Sequence, residues 1–173
     1  MSGLRLRDAG PGDQEAVRAL TLAAYAEYAD ALGPMWPPYR DNILQTLARV
    51  APAQQIVAAR DGALVGAVLL YPHGAPLPTQ ADAGALARWP EVRLLAVPPV
   101  HRGQGIAEAL MRECVRRARA AGATSLTLHT TDMMRTAMRL YERLGFDREP
   151  ALDFSPAPGI TVKGFRLALE AVA

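Results

Sequence analysis

"VRLLAVPPVHRGQGIAEALM", running from Val92 to Met111, is the stretch on which the fold turns. An apolar run ends at Val97, Pro98 and Pro99 stop it, and Gly103 and Gly105 lead into a helical pattern. In that pattern Ile106, Leu110, Cys114 and Ala118 recur on one face, while Arg112, Arg116 and Arg119 lie largely elsewhere. A strand, a glycine turn and a helix are therefore expected in that order. The first turn of a helix carries N–H groups without intrahelical partners, and the macrodipole adds partial positive charge there. Glycines lack the Cβ atoms that would hold an anion away, and they permit the positive φ that a nest of amides needs. Three readings compete. A phosphate-binding P-loop requires Gly-Lys-Ser/Thr, where this chain has Gly105-Ile106-Ala107. A dinucleotide fingerprint requires a small residue where Glu108 stands, and it belongs in the first βαβ unit. The third is a glycine turn kept only for packing.

Outward from this stretch the chain punctuates itself. "LRLRDAG" alternates and reads as a first strand, and Asp13 stands where it could cap a helix through "QEAVRALTLAAYAEYADAL". "GPMWPPYR" breaks that helix, and "DNILQTLARV" resumes one. "QQIVAARDGALVGAVLLY" is a hairpin turning on Asp61-Gly62. Pro72 to Pro90, rich in Pro, Gly and Ala, reads as a mobile loop with at most one helical turn. "EVRLLAV" is the next strand, and its helix runs to Ala121 before Gly122. "TSLTLHT" is a strand, "MRTAMRLYERLG" a helix ending at Gly145, "FDREP" the start of a strand, and "ITVKGFRLAL" a closing strand. No repeat or linker is visible, so residues 1–173 are expected to form one α/β domain.

Composition narrows the function classes. With 173 residues and half of them hydrophobic, the chain can bury a substantial core. A net charge of +2 argues against binding nucleic acid through bulk electrostatics. No apolar run is long enough to cross a bilayer, and "MSGLRLRDAG" lacks the apolar segment of a signal peptide, so the expected compartment is the cytoplasm. Cys114 is the sole cysteine, which excludes an internal disulfide; its spacing places it in a helix core, as packing rather than as a nucleophile. His73, His101 and His129 are too scattered for a metal site, and none is expected. Nearly every basic residue is arginine, with Lys163 the only lysine, which reflects a composition bias and not a function.

The stretch from Val92 to Met111 resembles motif A of the GNAT family of N-acetyltransferases: an apolar strand ending in Ala-Val, a short turn, then Arg-x-x-Gly-x-Gly/Ala opening a helix. The matching residues are Arg102, Gly105 and Ala107. Downstream, "RLYERLGF", Arg139 to Phe146, resembles the family's motif B. The two motifs in this order, with the element order above, extend the resemblance over nearly the whole chain. It implies a mixed, mostly antiparallel central sheet flanked by helices, with a splay between the fourth and fifth strands. It implies acetyl-CoA as acetyl donor, its pyrophosphate cradled by the amides of Arg102, Gly103, Gln104, Gly105, Ile106 and Ala107. Leu95, Ala96 and Val97 would then pair with pantetheine and the thioester, an amide there stabilising the oxyanion.

The same resemblance makes Tyr141 the general acid that protonates the departing thiolate; the alternative is a tyrosine packed against the sheet. Glu91 is the expected base. Alternation places Glu91, Arg93, Leu95 and Val97 on one face and aims Glu91 at the same cleft, the alternative being an exposed strand-end carboxylate. His129, ending the next strand, is a lesser candidate for base or substrate contact. One departure is Met134, where the family often has Asn three residues before Ala137. The expected partner is a primary amine on a small molecule or peptide, attacking directly in a ternary complex, with no nucleic acid or membrane partner; a homodimer is a candidate assembly. Tyr28, Trp36, Tyr39 and Trp89 give the acceptor-side segments an aromatic character, either lining an acceptor site or covering the sheet. Two alternatives stay open: a non-catalytic acyl-CoA sensor, and an acyltransferase using a longer acyl chain.

Overall fold

The computed structural model describes residues 3–76 and 86–170. Eight strands pair in the order β1-β2-β3-β4-β5-β8-β6, with β7 on β8. They are β1 (Arg5–Asp8), β2 (Gln54–Arg60), β3 (Ala63–Tyr71), β4 (Glu91–Ala96), β5 (Ser125–Thr130), β6 (Asp147–Arg148), β7 (Phe154–Ala157) and β8 (Ile160–Ala168). The helices are α1 (Gln14–Tyr25), α2 (Ala29–Leu32), α3 (Trp36–Ala48), α4 (Ile106–Ala120) and α5 (Arg135–Arg143). Five of the six pairings whose registers are resolved are antiparallel; β4 with β5 is parallel. The expected mixed, mostly antiparallel α/β architecture is what the chain forms.

Two compact units divide the chain: Met1–Leu70 with Leu94–Glu113, and Tyr71–Arg93 with Cys114–Ala173. In the first, β1, β2 and β3 form an antiparallel meander. Its hairpin turns on Asp61 (φ 52°) and Gly62 (φ 80°), the paired positive-φ geometry that a tight two-residue connection needs. Val17, Leu20 and Ala24 of α1, Ile43 and Leu47 of α3, and Ile106 and Leu110 of α4 are buried. Each large aliphatic among them removes enough apolar surface from water to contribute about 1.5–3 kcal/mol. At Gly66 a Cβ would stand 2.8 Å from the Ile106 side chain and 3.0 Å from that of Leu110. Glycine on β3 thus lets the start of α4 lie close over the strand.

The second unit is organised on β8, which runs antiparallel to β5 from Ser125↔Ala168 to Thr130↔Lys163 and also pairs with β6 and β7. Leu126, Leu128 and Phe165 form its core. Gly164 is held to glycine by backbone: a Cβ there would lie 2.9 Å from the Glu149 carbonyl oxygen and 2.4 Å from the Leu152 Cβ. Between β4 and β5 the pairing covers only Glu91↔Thr127 and Val92↔Leu128 and then stops, where the splay was expected.

Three local readings change. Asp13 does not cap α1 with its side chain; it turns back to accept from the Gly10 amide (2.7 Å) and from Arg7 (2.6 and 3.0 Å). The first long helix is two helices, because a 3-10 turn at Ala26–Tyr28 separates α1 from α2. The next helix starts at Trp36, earlier than its prolines suggested, because proline in a first turn forfeits no intrahelical bond. β7 was not foreseen. The loop expected between Pro72 and Pro90 has described ends joined by a Pro76↔Leu86 bridge; residues 77–85 lie outside the described residues.

Candidate functional site

The first unit contains the glycine turn. Gly103 and Gly105 take φ of 72° and 73°, and nothing lies within 4 Å of where their Cβ atoms would be. Gly105 accepts from the Ala109 amide (3.0 Å), so the amides that follow it are the partnerless first turn of a 15-residue helix. Exposed main-chain donors at the positive end of a helix dipole are chemically suited to phosphate oxygens. The side chains around it are otherwise engaged. Arg102 donates through Nε to the Val97 carbonyl (3.0 Å), through Nη2 to the Ala24 carbonyl (3.2 Å) and through Nη1 to Glu27 (2.5 Å). The Gln104 side chain accepts from Arg60. What the turn leaves open is main chain, since the motif arginine's side chain is engaged.

Just upstream, Leu94 departs from the strand with φ of 51°, a conformation that bulky residues adopt only under constraint. The alternation expected from Glu91 to Val97 is therefore interrupted: Glu91 and Arg93 share a face, whereas Leu95 and Val97 follow a reset backbone. The Leu95 carbonyl accepts from the Tyr25 hydroxyl (3.1 Å). Leu95, Ala96, Val97 and the residues from Arg102 to Ala107 thus all belong to this unit.

Glu91 and Tyr141 belong to the second unit. Glu91 is not an exposed strand end. It is 2 % exposed, and its two oxygens accept from His129 Nδ1 (2.9 Å) and Arg93 Nη2 (3.1 Å). His129 Nε2 lies 2.8 Å from the Leu152 carbonyl, which can only accept. Facing a carbonyl on one side and a carboxylate on the other, His129 must carry a proton on each nitrogen. Burial pushes the Glu91 carboxyl up, but the hydrogen bond from His129 and the charge and hydrogen bond of Arg93 outweigh it and hold it below its ordinary value. For His129, burial lowers the proton affinity; the Glu91 hydrogen bond and charge, then the Leu152 carbonyl, more than reverse this and hold it above 6.5. Arg93 completes a positive–negative–positive row. Its guanidinium lies 4.0 Å over the Tyr71 ring, and its buried Nε has no hydrogen-bond partner.

Tyr141 is buried in α5 with its ring 6.0 Å from Phe146, and its carbonyl accepts from the Phe146 amide where the chain leaves the helix. Met134, where the family often has Asn, precedes α5 and gives its first turn no side-chain cap. Among the aromatic residues, Tyr28, Trp36 and Tyr39 cluster with Tyr25 in the first unit at ring separations of 6.1–6.3 Å. Burial is the first cause that pushes the Tyr28 and Tyr39 phenols up to about 12. Trp89 lies in the second unit, its ring 4.6 Å from the Arg88 guanidinium and 5.3 Å from that of Arg166.

Three contacts had no sequence signal sufficient to find them. Tyr25 and Glu27 read as helix interior, although they hold Leu95 and Arg102. The pairing of Glu91 with His129 needed the register Glu91↔Thr127, which places His129 two residues along the same face of the neighbouring strand.

The acetyltransferase (GNAT) family model matches residues 21–146. The mycothiol acetyltransferase of Thermobispora bispora is 33% identical over 153 residues, covering 84% of this chain and 47% of that protein; the chain thus spans about half that relative's length. The IAA acetyltransferase of Azospirillum brasilense is 32% identical over 130 residues, covering 73% of this chain and 77% of that protein. Among solved structures, a GNAT family acetyltransferase from Brucella melitensis in complex with acetyl-CoA aligns with a TM-score of 0.59 at 24% identity, over 97% of this chain and 89% of that one. A GNAT family acetyltransferase from Staphylococcus aureus reaches a TM-score of 0.72 at 12% identity, over 97% and 100%. The family model spans well over half of the chain: the chain belongs to the GNAT acetyltransferase family.

Proposed function

We propose that this chain transfers an acetyl group from acetyl-CoA to a primary amine on a small molecule or peptide, by direct attack in a ternary complex. The observation that carries the reading is the open nest at Gly103 to Ala107, formed where positive-φ glycines meet the N-terminus of α4. Its main-chain donors and absent Cβ atoms suit the oxygens of a pyrophosphate. Acetyl-CoA supplies an activated thioester, and the chain supplies position, polarisation and protons.

In this reading Leu95, Ala96 and Val97 align the pantetheine and thioester, and a main-chain N–H meets the carbonyl oxygen as charge develops on it. Tyr141 gives a proton to the departing thiolate. Glu91, held ionised by His129 and Arg93, is the base to which the amine's proton passes. Because those cations also lower its proton affinity, the rate should rise with pH as more amine becomes neutral.

Calorimetry with acetyl-CoA and a thiol-release assay over a panel of primary amines test this. Binding with release for at least one amine is expected. Failure to bind acetyl-CoA overturns the reading, and binding without release for any amine assigns the chain to acyl-CoA sensing instead.

A further inference from the structure

The end of α1 grips the free edge of β4 at two successive outward-facing carbonyls. Tyr25, the last residue of α1, donates its hydroxyl to Leu95 O (3.1 Å). Arg102, itself tied to Ala24 O and Glu27, donates to Val97 O (3.0 Å). Ala96 O faces the other way, 3.4 Å from where a Cβ on Gly66 of β3 would stand. In extended backbone a residue's N–H and C=O point to the same edge, and successive residues alternate. The edge that carries Leu95 O therefore also presents Leu95 N–H. Leu94, immediately before it, is in the left-handed region at φ 51°. Leu94 gains by relaxing to the β region, which would rotate the Leu94–Leu95 peptide and turn that N–H away, unless the next peptide, whose Leu95 carbonyl Tyr25 holds, fixes the chain beyond it. The Tyr25 ring cannot easily yield, being 9 % exposed and packed 6.1 and 6.3 Å from the rings of Tyr28 and Tyr39.

We propose that Tyr25 is a positioning residue for acyl transfer: its hydroxyl locks the strained Leu94–Leu95 segment so that Leu95 N–H is presented along the free edge of β4, to the thioester carbonyl. This rests on the acetyltransferase reading above. It also narrows the contacts of that edge. With Leu95 O and Val97 O already accepting from side chains, N–H groups are what the edge offers a thioester.

The test is Tyr25→Phe in the full chain, which removes one oxygen and keeps the ring. Two readouts are compared with wild type: the carbonyl 13C resonance of Leu95, and steady-state kinetics with an amine that wild type acetylates. The Leu95 resonance should shift while those of Leu126 and Leu128 stay in place. The value of kcat should fall about 10-fold, as loosening without loss of an oxyanion donor implies, with acetyl-CoA affinity within about 2-fold. A merely structural role would lower thermal stability without this split. An unshifted Leu95 resonance, or an unchanged kcat, overturns the proposal alone. A wild-type chain that binds acetyl-CoA and releases no thiol overturns it together with the acetyltransferase reading.

Discussion

Replacing Glu91 by glutamine removes the single negative charge between His129 and Arg93 at almost constant volume. Glu91 is 2 % exposed, and the side chains of His129 and Arg93 are 12% and 17% exposed, so little water can replace the carboxylate. Removing one partner of a buried pair costs about 3–5 kcal/mol, because the remaining charge stays desolvated. The glutamine oxygen can still accept from Arg93, but its amide nitrogen then meets the Nδ1–H of His129, donor against donor. The conflict is relieved when His129 gives up that proton and keeps the one it shares with Leu152 O. In wild type the raised His129 value contributes stability that is fully present below about 6.5 and is lost as pH rises through the folded-state value. In Glu91→Gln that contribution is gone. Below pH 6.5 the unfolded chain gains a proton that the folded variant refuses, and the deficit grows by about 1.4 kcal/mol per pH unit. Urea denaturation of both proteins between about pH 5.5 and 9 should show a loss of about 3 kcal/mol at pH 7, more at pH 6 and less at pH 9. Those conditions stay above the range where the lowered Glu91 value lets its own contribution fade as pH falls. A loss below about 1 kcal/mol at pH 6, or one that does not vary with pH, refutes the imidazolium–carboxylate–guanidinium row.

Tyr141→Phe should lower kcat by about 10²-fold in the thiol-release assay while acetyl-CoA affinity stays within about 2-fold, as expected for loss of a proton donor. Gly105→Ala places a Cβ on a φ of 73° with open space around it, so stability should fall by about 1–2 kcal/mol from backbone strain alone, and calorimetry should show acetyl-CoA bound about 10-fold more weakly. Gly66→Ala meets Ile106 at 2.8 Å and Leu110 at 3.0 Å; a loss of about 1–3 kcal/mol in urea melts is expected. The Arg7 hydrogen bond first, then that of the Gly10 amide, hold the Asp13 carboxyl down to about 2; its NMR titration should show that midpoint in wild type and move toward 3.8 in Arg7→Ala.

Periodicity and punctuation made the elements legible: the Asp61-Gly62 hairpin, the Ile106–Leu110–Cys114–Ala118 stripe and the glycines ending α4 and α5 all follow from local chemistry. The glycine nest was legible for the same reason, since its φ values are a property of two residues. What escaped was long-range. Asp13 found a partner in Arg7 and the Gly10 amide instead of the helix it precedes, because a charged guanidinium outcompetes a neutral cap. Nothing local to Leu94 announces a positive φ; the constraint comes from Tyr25, 70 residues from Leu95 in sequence. Alternation aimed Glu91 at a cleft or left it an exposed strand end, and only its register with β5 puts a histidine beside it.

Arg102 is the most recognisable residue of the glycine turn, yet its guanidinium is occupied by Glu27, Ala24 and Val97. A mutational scan would thus score it as a brace: replacements should depress folding yield first, and lysine, with one nitrogen in place of three, should rescue poorly. On the proposed reading, ligand capture falls to peptide N–H groups, which among substitutions only proline removes.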